Sequence, residues 1–294
     1  MIAILGAGSM GRLWAAKLPT GQVAFVPRPE QSVAPLAYHF RPLQGPEISV
    51  QIRWLYDFQS PSLLVVTTKA GDTLNALQPV LSRLPDTTPI VLFQNGLGSQ
   101  QRVAETWPNR PILAATTTEG ANRPESGLTV HAGKGETWIG ALTPTGETLV
   151  SKSVSTLAET GLSVQAEPEI LTRLWQKLVI NAGINAFTAI LNCPNGEILN
   201  HSFYQQWIGP LCNEISALLA ASGQPPRSPT SLRGAIETVA RNTAANTSSM
   251  RADRLARRPT EIDFINGYLA RLGAEYGIDT PVNQMLTDRV KQLD

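Results

Sequence analysis

Ile2-Ala3-Ile4-Leu5-Gly6-Ala7-Gly8-Ser9-Met10-Gly11-Arg12-Leu13-Trp14-Ala15-Ala16-Lys17-Leu18 reads as an apolar strand, a glycine turn and a helix in immediate succession. Each glycine has its own reason to be there. Gly6 suits the tight turn, Gly8 lets the backbone approach a pyrophosphate, and Gly11 lets the helix pack closely on the strand. The helix N-terminus then offers free N–H groups and a positive dipole end to phosphates. Glycine turns alone are common, but the strand before and the helix after mark a dinucleotide site, with Gly6, Ala7, Gly8, Ser9, Met10 and Gly11 as cofactor-binding residues.

The end of the second strand, Gln22-Val23-Ala24-Phe25-Val26, bears on which dinucleotide is bound. A site for NAD usually places Asp or Glu there for the ribose 2′-hydroxyl, whereas a site for NADP omits the acid and supplies an arginine. Here the chain continues Pro27-Arg28-Pro29, with no acid at the strand end. Arg28 can fork onto a 2′-phosphate, so NADP is the expected cofactor. The alternative is a solvated loop arginine, which Glu30 could pair with.

The 294 residues suffice for two domains, each with a sizeable core. A formal net charge of +1 gives no field for nucleic acid or a membrane surface. No apolar run approaches a membrane span, and no basic leader or cleavage site precedes the first strand, so a soluble, cytoplasmic protein is expected. Two cysteines, Cys193 and Cys212, make neither a disulfide framework nor a CxxC site. His39, His131 and His201 are scattered, so no metal is expected.

Up to about residue 166, short β-rich runs alternate with turns and amphipathic segments: Leu63 to Thr67, Ile90 to Phe93, Ile112 to Thr117, Leu128 to Ala132 and Thr137 to Gly140. From Glu167 onward the period is helical. This predicts an α/β chain, with a Rossmann-type dinucleotide-binding domain over 1–166 followed by an all-helical domain over 167–294. The proline-rich passage Gly223 to Pro229 is expected to be an ordered loop.

Candidate site residues stand where strands end and on two helices. Lys69 follows the Leu63 run and Asn95-Gly96 follows the Ile90 run, both on the edge where open α/β sheets bind ligands. Lys69 can reach a ribose or a carboxylate, and Asn95 can offer its amide to the nicotinamide ribose or to substrate. Each, like Thr117-Thr118, could equally be an ordinary turn residue. In Leu174 to Asn185, Lys177, Asn181 and Asn185 are spaced i, i+4, i+8 and form one polar row amid Leu174, Leu178, Val179 and Ile184. Burying such groups without partners is costly, and solvent stripes usually carry Glu and Lys pairs, so the row is expected to line a ligand cleft. Pro259 is expected to start a helix with Glu261 in its first turn, held ionised as an acceptor for a hydroxyl. The alternative is an ordinary acidic helix start. The arginines Arg251, Arg254, Arg257 and Arg258 are expected to be solvated or paired.

Across essentially its whole length the chain resembles the ketopantoate reductases. The matching residues are Gly6 to Gly11, Thr68-Lys69-Ala70, Gln94-Asn95-Gly96-Leu97-Gly98, Leu174 to Leu178 with Asn181 and Asn185, Asn192 to Glu197, Ser248-Ser249-Met250, and Thr260 to Asp263 with Ile265-Asn266-Gly267. The resemblance implies that Lys177 is catalytic and that Glu261 binds substrate, with Asn95, Asn181, Asn185, Asn195 and Ser249 as the polar substrate shell. It implies NADP contacts from Arg28 and Lys69, with Asn95 and Glu261 also beside the cofactor. Glu119 is a departure, standing where the family usually has histidine or an aromatic residue. The implied reaction is NADPH-dependent reduction of a small 2-keto acid, 2-dehydropantoate, by a monomer or homodimer that needs no metal, nucleic acid or membrane. Two rivals stand beside it: an NADP-linked dehydrogenase of another hydroxy acid, and a non-enzymatic NADP sensor that would not need Lys177 or Glu261.

Overall fold

The computed structural model describes residues 1–19, 21–28 and 34–293, which fall into two compact units. The first comprises Met1–Gln94 and Ser99–Ile170, and the second Asn95–Gly98 and Leu171–Asp294.

The first unit runs β1 (Ile2–Leu5), α1 (Ser9–Lys17), β2 (Val23–Phe25), β3 (Leu36–Arg41), β4 (Ile48–Ile52), β5 (Leu63–Val66), α2 (Thr73–Leu81) and β6 (Ile90–Leu92). After the Asn95–Gly98 excursion come α3 (Ser99–Thr106), β7 (Ile112–Thr117), β8 (Gly120–Asn122), β9 (Leu128–Gly133), β10 (Glu136–Ala141), α4 (Pro144–Glu147), α5 (Val150–Ala158) and β11 (Ser163–Ala166). Its main sheet has the order β11-β10-β7-β6-β5-β1-β2. The strands from β2 to β7 are parallel, and β10 returns antiparallel to β7. Every residue of β1, β5, β6 and β7 is buried, as parallel strands covered on both faces require. Alternation divides them between two cores. Ile2, Ile4 and Val65 pack with Leu13 and Trp14 of α1, while Ala3, Leu5 and Val66 pack with Leu77 of α2 and Val103 of α3. The unit is thus a Rossmann-type α/β fold.

A second sheet, β4-β3-β9-β8, covers part of the α1 face. Only alternate residues of β3 and β4 are buried, and Tyr38, Phe40, Val50 and Ile52 join the core beside Trp14 and Phe25. The run Leu128 to Ala132 belongs to this sheet.

The second unit is helical: α6 (Ile170–Leu191, shared at its first residue with the first unit), α7 (Ser202–Ala221), α8 (Pro229–Asn242), α9 (Ser249–Leu255), α10 (Asn266–Tyr276) and α11 (Pro281–Lys291). The described residues after Ala166 include no strand. A buried carboxylate organises the packing of α7 against α11. Glu214 accepts from the backbone N–H groups of Val282 (2.7 Å) and Asn283 (3.0 Å) in the first turn of α11, where the helix dipole favours an anion. Burial pushes the Glu214 carboxyl up, and these bonds oppose that shift. Asn283 passes the network to Asn266 of α10 (3.1 Å), whose Nδ2 also reaches the carbonyl of Ala182 on α6 (3.3 Å). Among the described residues no helix is long and apolar enough to cross a membrane.

Candidate active site

The turn between β1 and α1 shows which glycines the chain itself demands. Gly6 has φ +109°, and a Cβ there would lie 2.8 Å from the Thr68 nitrogen. At Gly11 a Cβ would lie 2.0 Å from the Gly6 oxygen, so neither position tolerates a side chain. Thr67 fastens the turn to the end of β5 by donating from Oγ1 to the Gly6 carbonyl at 2.7 Å. Gly8 differs. A Cβ there would meet no described protein atom within 4 Å, so packing within the chain does not explain it. Close approach by a phosphate does, and α1 has no side-chain cap and no acid in its first turn to compete. The turn therefore fits a dinucleotide.

Arg28 is exposed in the loop after β2, and Pro29 and Glu30 lie outside the described residues. Lys69 is half-buried, and its carbonyl accepts from the Asp72 N–H (3.0 Å) and Thr73 Oγ1 (2.9 Å) where the chain turns into α2. Thr117 and Thr118 pin the end of β7: Thr117 Oγ1 accepts from the Glu119 N–H (3.1 Å) and Thr118 Oγ1 from the Glu136 N–H (2.9 Å). Glu119 is buried, with Oε2 2.6 Å from Nε2 of His131, which is equally buried. His131 Nδ1 is buried without a partner. Sequence reading missed this pair because its members come from the junction before β8 and from β9.

In the second unit α6 carries Lys177, Asn181 and Asn185 along one row. Leu174, Leu178, Val179 and Ile184 are buried, as is Asn185, whereas Asn181 and Lys177 are half-buried. Burial pushes the Lys177 ammonium down to about 8, and the charge of Glu261 opposes that shift. Glu261 does not lie in the first turn of a long helix. Pro259 and Thr260 are non-helical, Glu261 precedes a single 3-10 turn, Ile262–Phe264, and Ile265 (φ −113°, ψ −98°) breaks the chain before α10. The break aims this turn at Asn95–Gly98: Asn95 Nδ2 donates to Glu261 Oε2 at 3.3 Å, and the Leu97 N–H to the Phe264 carbonyl at 2.9 Å. Gly96 (φ +79°) is needed there, because a Cβ would lie 2.0 Å from the Phe264 oxygen.

Asn195 is buried and donates from Nδ2 to Thr243 Oγ1 at 3.0 Å, with its Oδ1 buried and unpartnered. Ser249 is exposed at the start of α9. Its neighbour Ser248 is the helix cap, accepting from the Arg251 N–H (3.1 Å) and bonded to Thr188 Oγ1 (2.6 Å). Arg258 pairs with Asp253 at 3.0 Å, and Arg254 is turned inward onto the carbonyl of Ala189.

A Rossmann-type sheet with a glycine turn, followed by a helical unit that sets a half-buried lysine against a carboxylate, defines a class of two-part oxidoreductases. Residues 2–144 match the family described as Ketopantoate reductase PanE/ApbA, and residues 169–294 match its C-terminal part. The 2-dehydropantoate 2-reductase of Vibrio cholerae is 36% identical over 299 residues, covering 100% of this chain and 97% of the relative. The chain belongs to the ketopantoate reductase family. Among solved structures, 2-dehydropantoate 2-reductase from Geobacter metallireducens superposes with a TM-score of 0.85 at 24% identity, over 100% of this chain and 99% of the other. The ternary structure of D-mandelate dehydrogenase with NADH and anilino(oxo)acetate gives 0.86 at 24% identity, over 99% and 97%. These two likenesses bear on the fold.

Proposed function

We propose that the chain reduces 2-dehydropantoate (ketopantoate) to (R)-pantoate with NADPH in the cytoplasm, a step toward pantothenate and coenzyme A. The observation that carries the reading is the second-unit cluster, in which Lys177 meets the charge of Glu261 and Asn95 holds the same carboxylate. The names of the full-length relatives support the substrate. When bound, the nicotinamide supplies a hydride to the keto carbon. Lys177 gives the developing alkoxide a positive charge and then a proton. Asn181, Asn185, Asn195 and Ser249 hold the substrate carboxylate and carbonyl, and Glu261 accepts from the substrate hydroxyl. The glycine turn, Arg28 and Lys69 bind NADPH, with Asn95 and Glu261 beside its nicotinamide ribose. Incubation with ketopantoate and NADPH, followed by chiral chromatography, should yield (R)-pantoate; recovery of the keto acid unchanged contradicts the reading.

The cofactor preference rests on Arg28. A hydrogen bond to a charged group is worth about 1.5–3 kcal/mol, so Arg28→Ala should lower the ratio of kcat/KM for NADPH to that for NADH by about 10- to 100-fold. The ratio is measured on both proteins. If it does not move, Arg28 is a solvated loop residue and the preference has another origin.

A further inference from the structure

Arg12 sits in the first turn of α1 and is only 8% exposed. Its Nε donates to the carbonyl of Ala7, inside the glycine turn, at 3.0 Å. The guanidinium lies 5.1 Å from the centroid of the Tyr38 ring, and Tyr38 Oη donates to the Arg12 carbonyl at 2.7 Å. These contacts fix the group in place yet leave Nη1 buried with no acceptor. A second arginine approaches from the other sheet. Ala121 of β8 packs against the same core as Ala7 and Met10, and Arg123 stands just past the end of that strand, two residues further along the chain. The Nε of Arg123 is buried and unpartnered as well. Arg12 is disfavoured as a cation first by burial and then by the charge of Arg123, with only Tyr38 opposing. A guanidinium cannot escape such a setting by losing its proton, so the compensation open to it is an anion.

We propose that Arg12 and Arg123 form one anion site beside the glycine turn, and that the site takes the pyrophosphate of the dinucleotide. The proposal rests on the reading of that turn as a dinucleotide site. The bond from Arg12 to Ala7 ties the pair to the turn, where the pyrophosphate is expected, and not to the end of β2, where a 2′-phosphate would meet Arg28. The pyrophosphate is common to NADPH and NADH. Loss of either arginine should therefore weaken both nucleotides by the same factor.

The test is the dissociation constant of each nucleotide, followed by nicotinamide fluorescence, for wild type, Arg12→Gln and Arg123→Gln. Thermal melting of each nucleotide-free protein accompanies it. Arg123→Gln spares the core contacts of Arg12, so at least one variant is folded. The expected result is weakening of at least tenfold for both nucleotides in each folded variant, with no fall in the nucleotide-free Tm of Arg123→Gln, since removing one of two like charges relieves repulsion. Weaker NADPH with unchanged NADH overturns the proposal and makes the pair a 2′-phosphate site. Unchanged affinity for both, with wild type binding both, overturns it and leaves the pair a packing feature. A wild type that binds neither nucleotide overturns the proposed function and this inference together.

Discussion

Lys177→Ala is expected to lower kcat by about 10²-fold or more, the usual size of a lost general acid, while the dissociation constant for NADPH stays nearly unchanged. The charge of this lysine matters most when the alkoxide forms, so its loss falls on the transition state. Burial holds its ammonium down at about 8, and Glu261 keeps it from falling further. The sign of the pH dependence follows. Reduction needs the protonated amine, so activity should be full below about 8 and decline as pH rises through it. Glu261→Gln removes the opposing charge and should move this alkaline limb to lower pH. Steady-state rates across pH, with NADPH binding measured separately by calorimetry, check both statements. A kcat that barely changes would return Lys177 to the status of one member of a polar stripe on α6.

Glu261→Ala is expected to cost ketopantoate far more than 2-ketoisovalerate, which lacks the terminal hydroxyl. A site built to hydrogen-bond a substrate hydroxyl rejects the analogue without it by on the order of 10⁴-fold, because the analogue cannot replace the bond that the hydroxyl makes. Asn95 engages one oxygen of Glu261 and holds the carboxylate in place. Wild type should therefore prefer ketopantoate by several orders of magnitude in kcat/KM, and Glu261→Ala should close most of that gap. Two substrates and two proteins form a cycle whose coupling term isolates the hydroxyl contact. Equal losses on both substrates would make Glu261 a general electrostatic or structural residue.

The glycine turn was legible because strand, turn and helix are contiguous and each uses a strong local signal. The row on α6 was legible for the same reason, since one helix carries Lys177, Asn181 and Asn185 at a fixed spacing. β3 and β4 were not: half of each faces solvent and carries polar residues, and β9, which ties the β3-β4 hairpin into its sheet through β3, lies far along the chain. The misreading at Pro259 has a physical origin too. Ile262 and Ile265 are three apart, a spacing that serves a 3-10 turn as well as an α-helix, so the pattern could not show the break at Ile265. Ser248 and Ser249 are adjacent, and only the cap geometry separates them. The contacts between Asn95 and Glu261, and between Glu119 and His131, are tertiary and have no local signature.

The most direct test is kcat/KM for the wild-type chain with NADPH on ketopantoate, 2-ketoisovalerate and an aryl 2-keto acid, the last because D-mandelate dehydrogenase shares the fold. A preference for ketopantoate of several orders of magnitude over both others is the predicted result. Comparable or faster reduction of either alternative, or no NADPH oxidation on any of the three, contradicts it.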